Sequence, residues 1–152
     1  MHYLAITLIG GALAVYTKNH FELSWVNIIS CITLGLSITF AWVAAVNFND
    51  IIDIDSDKIS NGNRPLVAGT LTMREMRDVA TVSQISAIIG AILLSTTTVY
   101  FIATFSVLYA IYSLPPLRLK RVPLLSSFLI ALACVSLVLA GFFFINTTTS
   151  VR

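Results

Sequence analysis

The chain has 152 residues, of which 57% are hydrophobic and only 11% charged, with a formal net charge of +2 and a mean hydropathy of +0.91. Soluble domains carry about 25% charged residues, so there is too little charge here to cover a water-facing surface, and the composition points to a membrane-embedded protein. The net charge is too small to suggest nucleic-acid binding, and Cys31 and Cys134 sit singly in apolar runs without paired metal-ligand spacing, where they are expected as buried small hydrophobes.

Apolar blocks predict helices in chain order. Residues 1–17 form the first, short of the roughly 20 residues a span needs and lacking the basic stretch of a signal peptide. Residues 23–48 form the second and run directly into an acidic cluster. The third block, 79–114, would measure about 54 Å as one helix at about 1.5 Å per residue, against a hydrocarbon core of about 30 Å. It is predicted to split near residues 95–99, where the hydroxyls of "STTTV" satisfy backbone groups as the chain reverses. Residues 123–145 form the last block.

Charge placement agrees with five helices. Loops 49–78 and 115–122 then share one side and hold Lys58, Arg64, Arg74, Arg77, Arg118, Lys120 and Arg121, seven of the nine basic residues. Lys18 and Arg152 remain on the other, and the asymmetry puts both loops in the cytoplasm. Four spans would divide the basic residues across the membrane. The expected fold class is therefore all-α, a polytopic membrane helix bundle of about five transmembrane helices in a single membrane domain, residues 1–152.

The acidic cluster reads "NDIIDIDSD", residues 49–57. Nothing before Gly62 breaks the second helix, so the cluster is expected to be helical. At about 100° per residue, with Asn49 at 0°, Asp53 falls at roughly 40°, Asp57 at roughly 80° and Asp50 at roughly 100°, while Asp55 lies at roughly 240°. One narrow face therefore gathers Asn49, Asp50, Asp53 and Asp57. Three carboxylates so placed repel unless something positive joins them. Magnesium, which takes hard oxygen ligands and completes its shell with water and phosphate, suits them. A solvated acidic turn that keeps the helix end out of the bilayer is the simpler alternative, and spacing leaves it open. A calcium loop is excluded, because the positions that need Gly and Glu hold Lys58 and Arg64.

Basic residues follow in "NGNRPLVAG" (61–69) and "YSLPPLRLKR" (112–121). Arg64 is close enough in sequence to fold back on the acidic helix, and Pro115 and Pro116 end the fourth helix in a stiff loop that presents Arg118, Lys120 and Arg121. These cations can neutralise a diphosphate. They can equally serve topology alone, and both roles stay open for Lys120 and Arg121. Arg74 and Arg77, with Glu75 and Asp78, read as a solvated helix start. His2 and His20 are given no chemistry, and the N-x-T match at Asn146 is too short to assign glycosylation.

Together these stretches resemble a known family. "NDIIDIDSD" fits the NDxxDxxxD signature of the UbiA family of intramembrane prenyltransferases, "NRPLVAG" (63–69) resembles the segment that follows it, and "YSLPPLRLKR" resembles the family's second cytoplasmic loop. The resemblance implies a helical bundle around a cavity open to the membrane. It implies transfer of a prenyl group from an isoprenyl diphosphate to an aromatic or other lipophilic acceptor, with magnesium. Carried over by position, Asp50, Asp53 and Asp57 are the catalytic carboxylates, and with Asn49 they are the ligands of magnesium–diphosphate. Asn49, Arg64, Lys120, Arg118 and Arg121 are the substrate-binding candidates. Family members have about nine spans in two similar halves and a second aspartate-rich motif in the latter half. Nothing after Asp78 is acidic here, so the chain is expected to be the N-terminal half of such an enzyme and catalytically incomplete alone.

Two other classes compete. A small cation-binding transporter would put its acids in mid-membrane, whereas these lie past an apolar block and beside Lys58 and Arg64. A noncatalytic membrane subunit would keep the first-half scaffold without turnover. Purified 152-residue chain that turns over an isoprenyl diphosphate, and stops doing so in Asp53→Ala, would overturn the expectation of incompleteness.

Overall fold

The computed structural model describes the backbone of residues 2–18 and 24–150. His20 and Arg152 lie outside the described residues, as do the side chains of His2, Lys18 and Asn146. The chain forms α1 (His2–Lys18), α2 (Trp25–Ser60), α3 (Met73–Leu94), α4 (Thr96–Ser113) and α5 (Pro123–Ser150), with a short 3₁₀ turn at Leu119–Arg121. Among the described residues there is no strand. Four stretches, Trp25–Ser60, Met73–Leu94, Thr96–Ser113 and Pro123–Ile145, are long and apolar enough to cross a membrane, and the apolar stretch of α1, Tyr3–Thr17, is shorter.

Local chemistry sets the ends. Ser24 caps α2 by accepting from the Asn27 amide. The helix then runs 36 residues, about 54 Å at about 1.5 Å per residue. That exceeds a hydrocarbon core of about 30 Å, so its acidic end projects beyond the apolar slab. It stops at Asn61, whose amide returns to the Asp57 carbonyl. α3 starts six residues ahead of the apolar block, because Thr72 and Glu75 form a reciprocal capping box. Arg74, Arg77 and Asp78 therefore occupy exposed first turns.

The reversal between α3 and α4 is a single residue. Ser95 is extended, its amide closes α3 on the Ala91 carbonyl at 3.1 Å, and its hydroxyl oxygen opens α4 by accepting from the Thr98 amide at 3.1 Å. One hydroxyl residue thus ends one helix and begins the next, within the segment where the sequence predicts the split.

α2 lies along α3, and α5 packs against both α1 and α4. Small residues allow these approaches: Ala14, Ala41, Ala87, Ala91 and Ala133 are buried beside Ile38, Ile102, Phe105 and Leu137. The α1–α5 crossing is the tightest. A Cβ on Gly10 would fall 1.9 Å from the Val138 carbonyl oxygen, and one on Gly141 2.2 Å from that of Thr7. Backbone meets backbone there, so no side-chain rotation relieves the clash. Gly10→Ala is expected to lower stability by about 1–3 kcal/mol, the usual cost of overpacking, as a lower melting temperature in detergent. Gly62→Ala, with nothing within 4 Å of the added carbon, should melt with the parent.

Candidate active site

The acidic end of α2 meets two loops. In the first, residues 61–72, the Pro65 carbonyl accepts from the amides of Thr70 and Leu71, and Gly69 takes the left-handed φ of 72° that this closure requires. The loop brings Arg64 back over the helix it has just left. In the second, a cis Pro115–Pro116 peptide follows α4, and Arg118 adopts φ 38° and ψ 49°. A left-handed arginine is uncommon, and such a conformation persists only where its surroundings hold it. Here two hydrogen bonds flank it, from the Arg118 amide to Leu114 O at 2.8 Å and from the Arg121 amide to Arg118 O at 3.3 Å.

The side chains pair by charge. Arg64 donates from Nη1 to Asp50 Oδ1 at 2.5 Å, and its Nε lies 3.9 Å from Asp57 Oδ2. Asp57 also accepts from Asn61 Nδ2 at 3.0 Å. Arg118 donates from Nη2 to Asp53 Oδ1 at 2.5 Å, and Lys120 donates to the other oxygen of the same carboxylate. Three carboxylates are thus met by three cations, one from the first loop and two from the second. Water is largely excluded: the side chains of Asp50, Asp53 and Asp57 are 9%, 15% and 10% exposed. Asp55 is 90% exposed and pairs with its helix neighbour Lys58.

A second layer lies beneath. Asn49 Oδ1 accepts from the Ser113 hydroxyl at 2.6 Å and from Lys120 Nζ at 2.7 Å. Ser113 also lines a cavity of about 190 Å³ with Ala45, Phe48, Gln84, Ser106, Tyr109, Ala110 and Leu114. Gln84 Nε2 donates to Ser106 Oγ at 3.1 Å in its wall. An aromatic file, Tyr3, Phe105, Tyr109 and Tyr112, runs along the inner packing with successive ring centres 5.5 to 5.8 Å apart.

The structure therefore draws together Asn49, Asp50, Asp53, Asp57, Arg64, Arg118 and Lys120. Arg121 is exposed, and among the described residues no ion pair joins it to the aspartate face. Two participants carry no charge and escaped the sequence reading. Asn61 opens the stretch "NGNRPLVAG", and Ser113 lies two residues before Pro115. Asn61 stands four residues after Asp57, a spacing that brings two side chains together on one helix face, whereas nothing in the spacing of Ser113 signals that it reaches Asn49.

The fold and site together define a class of protein, a five-helix membrane bundle with an aspartate face closed by basic loops. The sequence matches the UbiA prenyltransferase family over residues 3–152, and the chain belongs to that family. Its fold is similar to that of a solved structure of digeranylgeranylglyceryl phosphate synthase. The TM-score is 0.78 at 19% identity, over 92% of this chain and 47% of that one. The chain thus spans about half the length of that neighbour. Nothing among the curated proteins matches it.

Charge pairing should show in stability. Arg64→Ala leaves Asp50 without its 2.5 Å partner and is expected to cost about 1–3 kcal/mol, the penalty of an unsatisfied polar group. Adding Asp50→Asn should recover part of the loss, read as melting temperature in detergent.

Proposed function

We propose that this chain binds an isoprenyl diphosphate with magnesium at the aspartate face, in prenyl transfer to an aromatic or other lipophilic acceptor. The observation that carries the reading is the cluster itself: two buried carboxylates and a half-buried one on one helix face, each met by a cation from a loop of the same bundle end. Family membership supports prenyl transfer in general. The exposed Asp55–Lys58 pair favours a focused site over a merely solvated acidic turn.

The donor chemistry fits the metal. Among the described residues no three carboxylate, histidine or cysteine groups form a ready-made metal cage. Magnesium commonly uses one or two carboxylates and fills its shell with water and phosphate oxygens, and those carboxylates would come from among Asp50, Asp53 and Asp57. When bound, it would neutralise charge on the leaving diphosphate.

The chain's own cations supply the rest. Arg118 Nε is buried and has no hydrogen-bond partner among the described residues, a donor an anion would satisfy. Arg64, Arg118 and Lys120 now rest on carboxylates, and in the bound state they would donate to phosphate oxygens. Each carboxylate would then need a new counter-charge, which is why metal and diphosphate should bind together. Positive donors around the departing group stabilise its charge as the allylic carbon–oxygen bond breaks. The apolar and aromatic walls exclude water from the allylic cation until the acceptor attacks. Their basic residues support a cytoplasmic side for both loops.

A nonhydrolysable isoprenyl thiodiphosphate should bind the purified chain only with magnesium, measured by calorimetry in detergent. Asp50→Ala should weaken binding by about 2–5 kcal/mol, as for loss of a buried charge partner. Asp55→Ala, at a surface pair worth about 0–1 kcal/mol, should change it little. Equal losses, or equally tight binding without metal, would overturn the proposal.

A further inference from the structure

The inference concerns Ser113, the last residue of α4, which is 3% exposed. Many hydroxyls in these helices bond back to their own backbone: Thr7 to Tyr3 O, Thr33 to Ile29 O, Ser37 to Thr33 O and Thr104 to Tyr100 O. That is the ordinary habit of a helical Ser or Thr. Ser113 instead donates across the bundle to Asn49 Oδ1 on α2, at 2.6 Å.

The bond completes a closed set. A lysine ammonium has three donors, and Lys120 Nζ has three acceptors around it: Asp53 Oδ2, Asn49 Oδ1 at 2.7 Å and Ser113 Oγ at 3.5 Å. A carboxamide oxygen has two lone pairs, and Asn49 Oδ1 receives Lys120 and Ser113. Without the Ser113 hydroxyl, the ammonium would lack one acceptor and the carboxamide one donor. Lysine is a flexible four-carbon stem with a point charge at its tip, so where that charge dwells depends on such partners.

We infer that Ser113 is a positioning residue, which through Asn49 holds the Lys120 ammonium over the aspartate face where an anionic diphosphate would meet it. The ligand in this statement rests on the function proposed above. The hold on Lys120 does not. In this arrangement Asn49 acts as the bridge between the end of α4 and the basic loop.

The test has two parts. The first needs no ligand: the intact chain in detergent is treated with an amine-acylating reagent, and modification of Lys120 is followed by mass spectrometry against Lys58. The Lys58 side chain is 58% exposed and pairs only with Asp55 among the described residues, which makes it an internal control. Ser113→Ala should raise Lys120 acylation roughly three- to tenfold, the scale of one hydrogen bond, and leave Lys58 unchanged. Ser113→Thr, which keeps the hydroxyl, should fall nearer the parent. Unchanged Lys120 reactivity in Ser113→Ala would overturn the inference, as would an equal rise at Lys58.

The second part uses the thiodiphosphate with magnesium. Ser113→Ala should weaken binding roughly three- to tenfold, but have no further effect in a Lys120→Ala background, because it acts through that residue. Additive losses would overturn the positioning role. If the parent chain binds no thiodiphosphate while Lys120 acylation still responds to Ser113→Ala, the proposed function fails and the Ser113–Lys120 coupling stands.

Discussion

Three carboxylates share one face of α2 where water is scarce, and their mutual repulsion must be answered by positive charge close at hand. Arg64 answers Asp50 and Asp57, while Arg118 and Lys120 answer Asp53. That requirement shapes everything at this end of the bundle. The first loop must double back on the helix it leaves, and the second must cross from the end of α4. A left-handed arginine is the visible sign of how firmly the second loop is held. Buried charges without partners are far more costly than the strain of such a residue, so the loops follow the carboxylates.

The apolar part of the molecule makes that meeting possible. α2 and α4 belong to one core, with Ile38 and Ala41 near Ile102 and Phe105, and their polar ends are therefore delivered side by side. Alanines and glycines at the crossings bring helices within backbone contact, as lipid-embedded packing requires in the absence of a hydrophobic drive between helices. The Ser113–Asn49 bond at 2.6 Å depends on that closeness, since a small hydroxyl cannot bridge a wider gap. Packing in the slab and chemistry at its edge are thus one arrangement.

The site also explains its own economy of charge. Each cation that would serve a phosphate already serves a carboxylate, so the cluster is balanced, and a ligand must replace both halves of each pair. On the function proposed above, a metal–diphosphate complex would bring both signs at once, whereas either component alone would bring one, and the site would discriminate by charge pattern as well as by shape.

Much of this was legible in the residues. Apolar blocks too long or too short for one span gave the helix order, since a span's length follows from a fixed rise per residue and a fixed bilayer thickness. Angular spacing separated Asp55 from Asp50, Asp53 and Asp57, because a continuous helix leaves no freedom in which face a residue takes. A split within residues 95–99 followed from the same arithmetic and the hydroxyls there, and the early start of α3 did not, because a capping box outweighs hydropathy at a helix end. Tertiary structure alone decided which cation meets which carboxylate, that Arg121 stays at the surface, and that Ser113 reaches Asn49 across 64 positions of chain. Local periodicity encodes a residue's face on its own helix. It carries nothing about the partner that another helix brings to that face, which is settled only when the bundle packs.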